Sequence, residues 1–228
     1  MPNREAERTG KWRSVIGELR RRYLDALLSG AEDEAERVVR EAIDAGAPEA
    51  VIDADVIGAA MQIIGDMWES GAITVADEHL ATEISVRVLM LQRETFRSAR
   101  RRAGAPVLLL GIQGEEHTLG LQMAASILLH AGYRVIMLGG DLPLDELPAA
   151  IDRHRPSVVG LTATMPSTVE QLTEAIGGVL HHAPGAGVIV GGSGAPDSFP
   201  AFAGVVACRH VGDAVELTDG LLHRSALN

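Results

Sequence analysis

The sequence predicts an all-α N-terminal half joined to an α/β half: a four-helix bundle over residues 1–103, then a parallel five-stranded sheet domain over residues 104–228. Three observations carry this expectation. Apolar residues recur at helical spacing up to about residue 103. From Ala105 onward, short apolar runs alternate with helix-length segments instead. Between the two regimes lies the arginine-rich stretch Arg100–Gly104, the natural boundary.

Four helical segments are expected in the first half, near 11–29, 32–45, 49–69 and 75–99. Gly30, the Gly46-Ala47-Pro48 stretch and Gly71 fall where these segments end. Glycine tolerates the left-handed residue that closes a helix, and proline suits a first turn. Short connections imply antiparallel neighbours. The last helix opens with Thr74-Val75-Ala76-Asp77, a candidate capping box, and Leu80, Ile84, Val88 and Leu91 follow at the spacing of a packed stripe.

In the second half the apolar runs 107–112, 134–138, 157–161 and 188–190 are expected strands, with a weaker one at 204–207 and a closing helix over 213–222. Crossover helices bury both faces of a parallel sheet, so its strands read as nearly uniform apolar runs, as VLLLGI and VIVGG do. The expected architecture is Rossmann-like, of the flavodoxin-like kind.

With 228 residues, 46% of them hydrophobic, the chain can build substantial cores. No signal-peptide stretch and no apolar run of about 18 residues is present, so a cytoplasmic protein without membrane contact is expected. The single cysteine, Cys208, excludes an internal disulfide framework, and thiol redox chemistry is not expected. A net charge of −11 argues against broad nucleic-acid binding. Residues 1–102 hold fifteen basic and nineteen acidic residues, including Arg20, Arg21, Arg22 and the run Arg97, Arg100, Arg101, Arg102, which read as solvated helix faces.

Ligands of open parallel sheets sit at the carboxyl ends of the strands, so the loops there are the place to look. After the first strand comes Gln113-Gly114-Glu115-Glu116-His117-Thr118-Leu119-Gly120. A carboxylate two residues before a histidine can orient a metal-bound imidazole through its second nitrogen. The elements Glu115-x-His117-x-x-Gly120, 41 residues, Thr162-x-Thr164, 26 residues, Gly191-Gly192 resemble the signature of the cobalamin-binding domain family. The family norm is Asp-x-His-x-x-Gly, Ser-x-Leu and Gly-Gly, so this chain departs at Glu115, Thr162 and Thr164.

The resemblance implies that cobalamin binds with its own base displaced and His117 as the lower cobalt ligand. It places Glu115, Thr118, Leu119 and Gly120 in the histidine loop. Thr162 and Thr164 would lie near the displaced base, and Gly191 and Gly192 would let the nucleotide tail pass close to backbone. The bundle becomes a cap over the upper face of the cofactor. There Trp68, nine residues, then Glu78-His79 is similar to a motif of CarH-type adenosylcobalamin-dependent photoreceptors. This implies a light sensor in which Trp68, Glu78 and His79 contact the adenosyl group. On α-helical spacing, Glu78, Thr82, Ser85 and Leu89 would form a ligand-facing strip.

Those photoreceptors carry a winged helix ahead of the bundle, whereas about ten residues precede the first expected helix here, so direct DNA binding is not expected. They often place a histidine directly after the tryptophan; this chain has Glu69. Output would run through a partner signalling protein, a fused output domain, or assembly into a homo-oligomer, a dimer or tetramer. The alternative function is a corrinoid methyl carrier of a methyltransferase system, and a third is storage or delivery of the vitamin. A mutase would need a substrate barrel for which the chain leaves no room. No nucleophile or acid–base pair points to independent catalysis, so the protein is not expected to be an enzyme. His130, His154, His181, His182 and His223 show no ligating spacing, while His210 would border the nucleotide tail.

Overall fold

The computed structural model describes residues 4–95, 104–164, 169–199 and 201–225. The chain divides into two compact units, residues 1–96 and 97–228. The expected end of the last bundle helix at 96–99, the arginines at 97 and 100–102 and the expected boundary at 103 fall outside the described residues.

The first unit is helical. Helix α1 (Arg4–Leu28) is followed by α2 (Glu32–Asp44), and Gly30 between them takes a φ of 65°. The third expected helix is not uniform: α3 (Glu49–Val51) runs into a π-helical segment (Ile52–Gly58) and then α4 (Ala59–Glu69). The wider π turn buries Ile52, Asp53, Ala54, Val56 and Ile57 together, a broader inward face than 3.6-residue periodicity provides. Helix α5 (Val75–Thr95) completes the unit; α1 packs against α2, α4, α5 and the π segment.

At the start of α5 the capping box forms as expected. Thr74 N–H donates to Asp77 Oδ2 at 2.9 Å, and Asp77 N–H donates to Thr74 Oγ1 at 3.2 Å. The packed stripe differs from the expectation. Ile84 and Val88 are buried, but Leu80 and Leu91 are exposed; the inward face is Ala81, Ile84, Ser85, Val88, Leu89 and Gln92. The ligand-facing strip is corrected for the same reason, because Ser85 and Leu89 belong to the bundle core. Ser85 Oγ accepts from the buried Tyr23 hydroxyl at 3.1 Å, and Gln92 Nε2 donates to Asp53 Oδ1 at 2.7 Å. Ser85, Gln92 and Asp53 are thus buried polar residues that each meet a partner from another helical segment.

The second unit is a doubly wound sheet. Strands β1 (Val107–Ile112), β2 (Val135–Leu142), β3 (Val158–Thr162), β4 (Gly187–Gly191) and β5 (Val205–Ala207) are all parallel, in the order β2-β1-β3-β4-β5. The crossovers are α6 (Leu119–His130), α7 (Leu147–His154) and α8 (Val169–His182), and α9 (Ala214–Ser225) closes the chain. Alternation along the strands feeds two cores. Leu108, Leu110, Val159, Leu161, Val188 and Val190 pack with α7 and α8. Val107, Leu109, Val158 and Ile189 pack with α6 and α9.

Strand β2 departs from the expected 134–138. It continues to Leu142 through two register irregularities against β1, and as an edge strand it exposes Met137 and Leu138. Bulges absorb the left-handed backbone of Gly139 and Asp141 within the pairing. No helix among the described residues is long and apolar enough to cross a membrane.

Candidate functional site

The chain leaves β1 in one direction to build β2 and in the other to build β3, so a crevice opens between the carboxyl ends of β1 and β3. Gly111, Thr162 and Gly191 stand in register across β1, β3 and β4. Three loops far apart in sequence therefore emerge along one sheet edge.

The β1–α6 loop turns at once. Glu115 N–H donates to Ile112 O at 2.9 Å, with Gly114 at a φ of 83° between them. Glu115 is fully buried whereas the His117 side chain is 55% exposed. Glu115 Oε1 accepts from both the backbone N–H (2.8 Å) and ring Nδ1 (2.7 Å) of His117. Glu115 Oε2 accepts from the backbone N–H of Thr164, across the crevice. Each carboxylate oxygen thus receives a backbone N–H, which fixes the carboxylate as acceptor toward the ring. In a neutral imidazole this partner selects the Nδ1–H tautomer, which leaves Nε2 as the nitrogen that can ligate a metal. The extra methylene of glutamate over aspartate serves this double span from His117 to Thr164, in the loop after β3.

Thr118 and Leu119, both half-buried, begin α6, and Gly120 lies in its first turn, where an added Cβ would meet nothing within 4 Å. Thr162 ends β3 and is buried. Thr164 contributes its backbone N–H to Glu115, and its carbonyl accepts from Ser193 Oγ at 3.2 Å. The two glycines differ. At Gly191 a Cβ would approach only Cys208, at 3.8 Å, so the protein's own packing leaves that position open. At Gly192 the φ is 101° and a Cβ would lie 2.3 Å from Ala163 O. The chain's own turn onto β3 already requires Gly192, a reason the expectation of tail clearance did not contain.

Sequence reasoning missed the end of β2. Asp141, at a φ of 51°, accepts from Gly114 N–H through Oδ1 at 2.8 Å and donates its own N–H to Glu115 O at 2.8 Å. A Cβ on Gly140 would sit 2.5 Å from Glu115 O. The available signal was the Gly-Gly-Asp triplet directly after an apolar run. His210 follows β5, exposed, and its carbonyl accepts from Cys208 Sγ at 3.3 Å. Burial pushes the Cys208 thiol up to about 11, so it stays protonated near neutral pH.

In the helical unit, Trp68 is the penultimate residue of α4 and 42% exposed. Glu78 lies in the first turn of α5 and His79 directly follows it. Glu78 Oε2 pairs with His79 Nδ1 at 2.6 Å, and Glu78 Oε1 accepts from Thr82 Oγ1 at 2.9 Å. Glu78 thus orients an exposed imidazole much as Glu115 does.

Residues 19–90 and residues 105–217 each match a protein family described as B12 binding domain. The chain is 35% identical over 133 residues to the HTH-type transcriptional repressor CarH of Myxococcus xanthus, a match spanning 58% of this chain and 44% of that protein. It is 28% identical over 161 residues to trimethylamine corrinoid protein 1 of Methanosarcina acetivorans, spanning 66% of this chain and 74% of that protein. Among solved structures, the monomethylamine corrinoid protein of Methanosarcina barkeri shares the fold, with a TM-score of 0.75 at 15% identity over 91% of this chain and 99% of that one. The chain spans less than half the length of the CarH protein it matches. The helical match, the α/β match and the two-unit fold agree: this chain belongs to the family of cobalamin-binding proteins that join a helical and an α/β B12 binding domain.

Proposed function

We propose that the chain is a cobalamin-based light sensor that binds adenosylcobalamin, with its own base displaced, through Nε2 of His117. The observation that carries the cobalt ligation is the Glu115–His117 pair, in which a buried carboxylate presents an exposed imidazole with a free lone pair. One protein nitrogen suits a metal that arrives with its equatorial ligands in a corrin ring. The open position at Gly191 and the clear surface at Gly120 suit a bulky group along the same sheet edge.

Trp68, Glu78 and His79 support the sensor reading. An exposed indole offers a flat apolar face to an adenine, and His79, oriented by Glu78, offers a polar edge. When bound, the cofactor supplies a cobalt–carbon bond that green light breaks. Trp68, Glu78 and His79 would hold the adenosyl group, and its loss would release them and pass the signal to a partner protein or fused domain. No independent catalysis is part of this reading.

The second reading, a methyl carrier, is favoured by the match to a trimethylamine corrinoid protein over 74% of that protein's length. Absorbance spectra of the protein loaded with adenosylcobalamin in the dark, before and after green illumination, discriminate the two. Photoconversion with wild type, and loss of the histidine-ligated spectrum in His117→Ala, supports the sensor. Stable methylcobalamin loading without adenosyl photoconversion replaces it with the carrier.

A further inference from the structure

The geometry points to Asp141 as a positioning residue for the cobalt-ligating histidine, an inference that rests on the ligation by His117 proposed above. Asp141 bonds to Gly114 and Glu115 rather than to His117 itself. It holds the turn from which His117 hangs.

Two features aim it there. Strand β2 carries extra residues against β1, since Leu109 pairs with Met137 but Leu110 with Gly139, and Ile112 with Leu142. These bulges bring Asp141 over the carboxyl end of β1. Asp141 then grips the Gly114–Glu115 peptides at two points: Oδ1 accepts from Gly114 N–H and its backbone N–H donates to Glu115 O, both at 2.8 Å. Gly111 and Gly140 close the grip from either side, because a Cβ on either would come within 3.0 Å of Glu115 O. Glu115 is therefore fixed by backbone from β2 and by its side chain to the loop after β3, which leaves Oε1 directed at the His117 ring.

Asp141 also adopts a left-handed backbone, a cost that asparagine and aspartate bear better than other non-glycine residues. This separates its two contributions by substitution. Asp141→Asn keeps the left-handed tolerance and the acceptor. Asp141→Gly keeps the backbone and its N–H donor but deletes the acceptor. Asp141→Ala impairs both.

The test has two arms on the full chain. In the apoprotein, amide hydrogen exchange at Gly114 and the tautomer of His117, read from long-range ¹⁵N–¹H NMR, report the grip without cofactor. In the loaded protein, titration with hydroxocobalamin gives the affinity and the absorbance spectrum gives the histidine-ligated fraction. We expect Gly114 exchange to rise at least about tenfold in Asp141→Gly, with the Nδ1–H tautomer losing its dominance and affinity falling about tenfold, while Asp141→Asn stays within about threefold of wild type. Wild-type exchange and affinity in Asp141→Gly overturn the inference, as does an Asn variant that loses as much as Ala. If His117→Ala itself retains the wild-type loaded spectrum, the ligation reading fails, and the apoprotein arm still decides whether Asp141 orders the loop.

Discussion

At the scale of single residues the site depends on Glu115, because one buried carboxylate satisfies a ring nitrogen and two backbone N–H groups in two loops. Glu115→Gln keeps the shape but turns one acceptor into a donor facing a donor. The variant should lose about 1–3 kcal/mol of stability from the unmet buried group. It should also bind hydroxocobalamin about 10–100-fold more weakly. Denaturant unfolding and a binding titration check the two effects separately. The adjacent glycines give a second contrast. Gly192→Ala forces a Cβ to 2.3 Å from Ala163 O at a φ of 101°, so the apoprotein should lose more than about 2 kcal/mol. Gly191→Ala meets no such contact and should leave apoprotein stability within about 1 kcal/mol while weakening cobalamin binding. If both variants destabilise the apoprotein equally, Gly191 is structural and the open position beside β4 is not ligand space.

At the scale of elements, the bundle is keyed by polar groups between helices. Tyr23 on α1 meets Ser85 on α5, and Asp53 in the π segment meets Gln92 on α5. Burial raises the Tyr23 phenol above its ordinary range, so the hydroxyl remains a donor at any physiological pH. Gln92→Leu removes a donor from a fully buried carboxylate and should cost about 1.5–3 kcal/mol in thermal or denaturant unfolding. A smaller loss than Tyr23→Phe would show that the Asp53 contact adds little. The start of α5 carries a pH-dependent device. Hydrogen bonds from the Thr74 hydroxyl and backbone hold the Asp77 carboxyl below its usual value. The folded pKa is the lower one, so this stabilisation is present above the unfolded carboxylate pKa and is lost as pH falls through the folded value. The stability gap between wild type and Thr74→Ala should therefore shrink on acidification; a gap constant from neutral to strongly acidic pH contradicts the capping box as its source.

At the scale of the whole molecule, ligand linkage is the expected signature of function. Cobalamin at a hundredfold excess over its dissociation constant should raise apparent stability by about 2.7 kcal/mol, and His117→Ala should forfeit most of that gain at equal concentration. Size measurements on the adenosylcobalamin form, in the dark and after green light, test whether assembly changes with the upper ligand. The same oligomeric state in both would confine the signal to changes within one chain. Much of this organisation was legible in the residues. The 41- and 26-residue intervals picked out the three loops through their resemblance to the spacing of the family's motifs, and β1, β3 and β4 stood out as uniform apolar runs. Periodicity and the apolar runs thus determined the fold, and the loop motifs, through their resemblance to the cobalamin-binding signature, pointed to the family. Only the tertiary structure decided that Ser85, Gln92 and Asp53 face inward, that Leu80 and Leu91 face out, and that Asp141 grips the histidine loop. The reason is physical: a polar side chain is buried when a partner from another element meets it, and a bulge is fixed by register between strands. Neither condition is written in the local sequence.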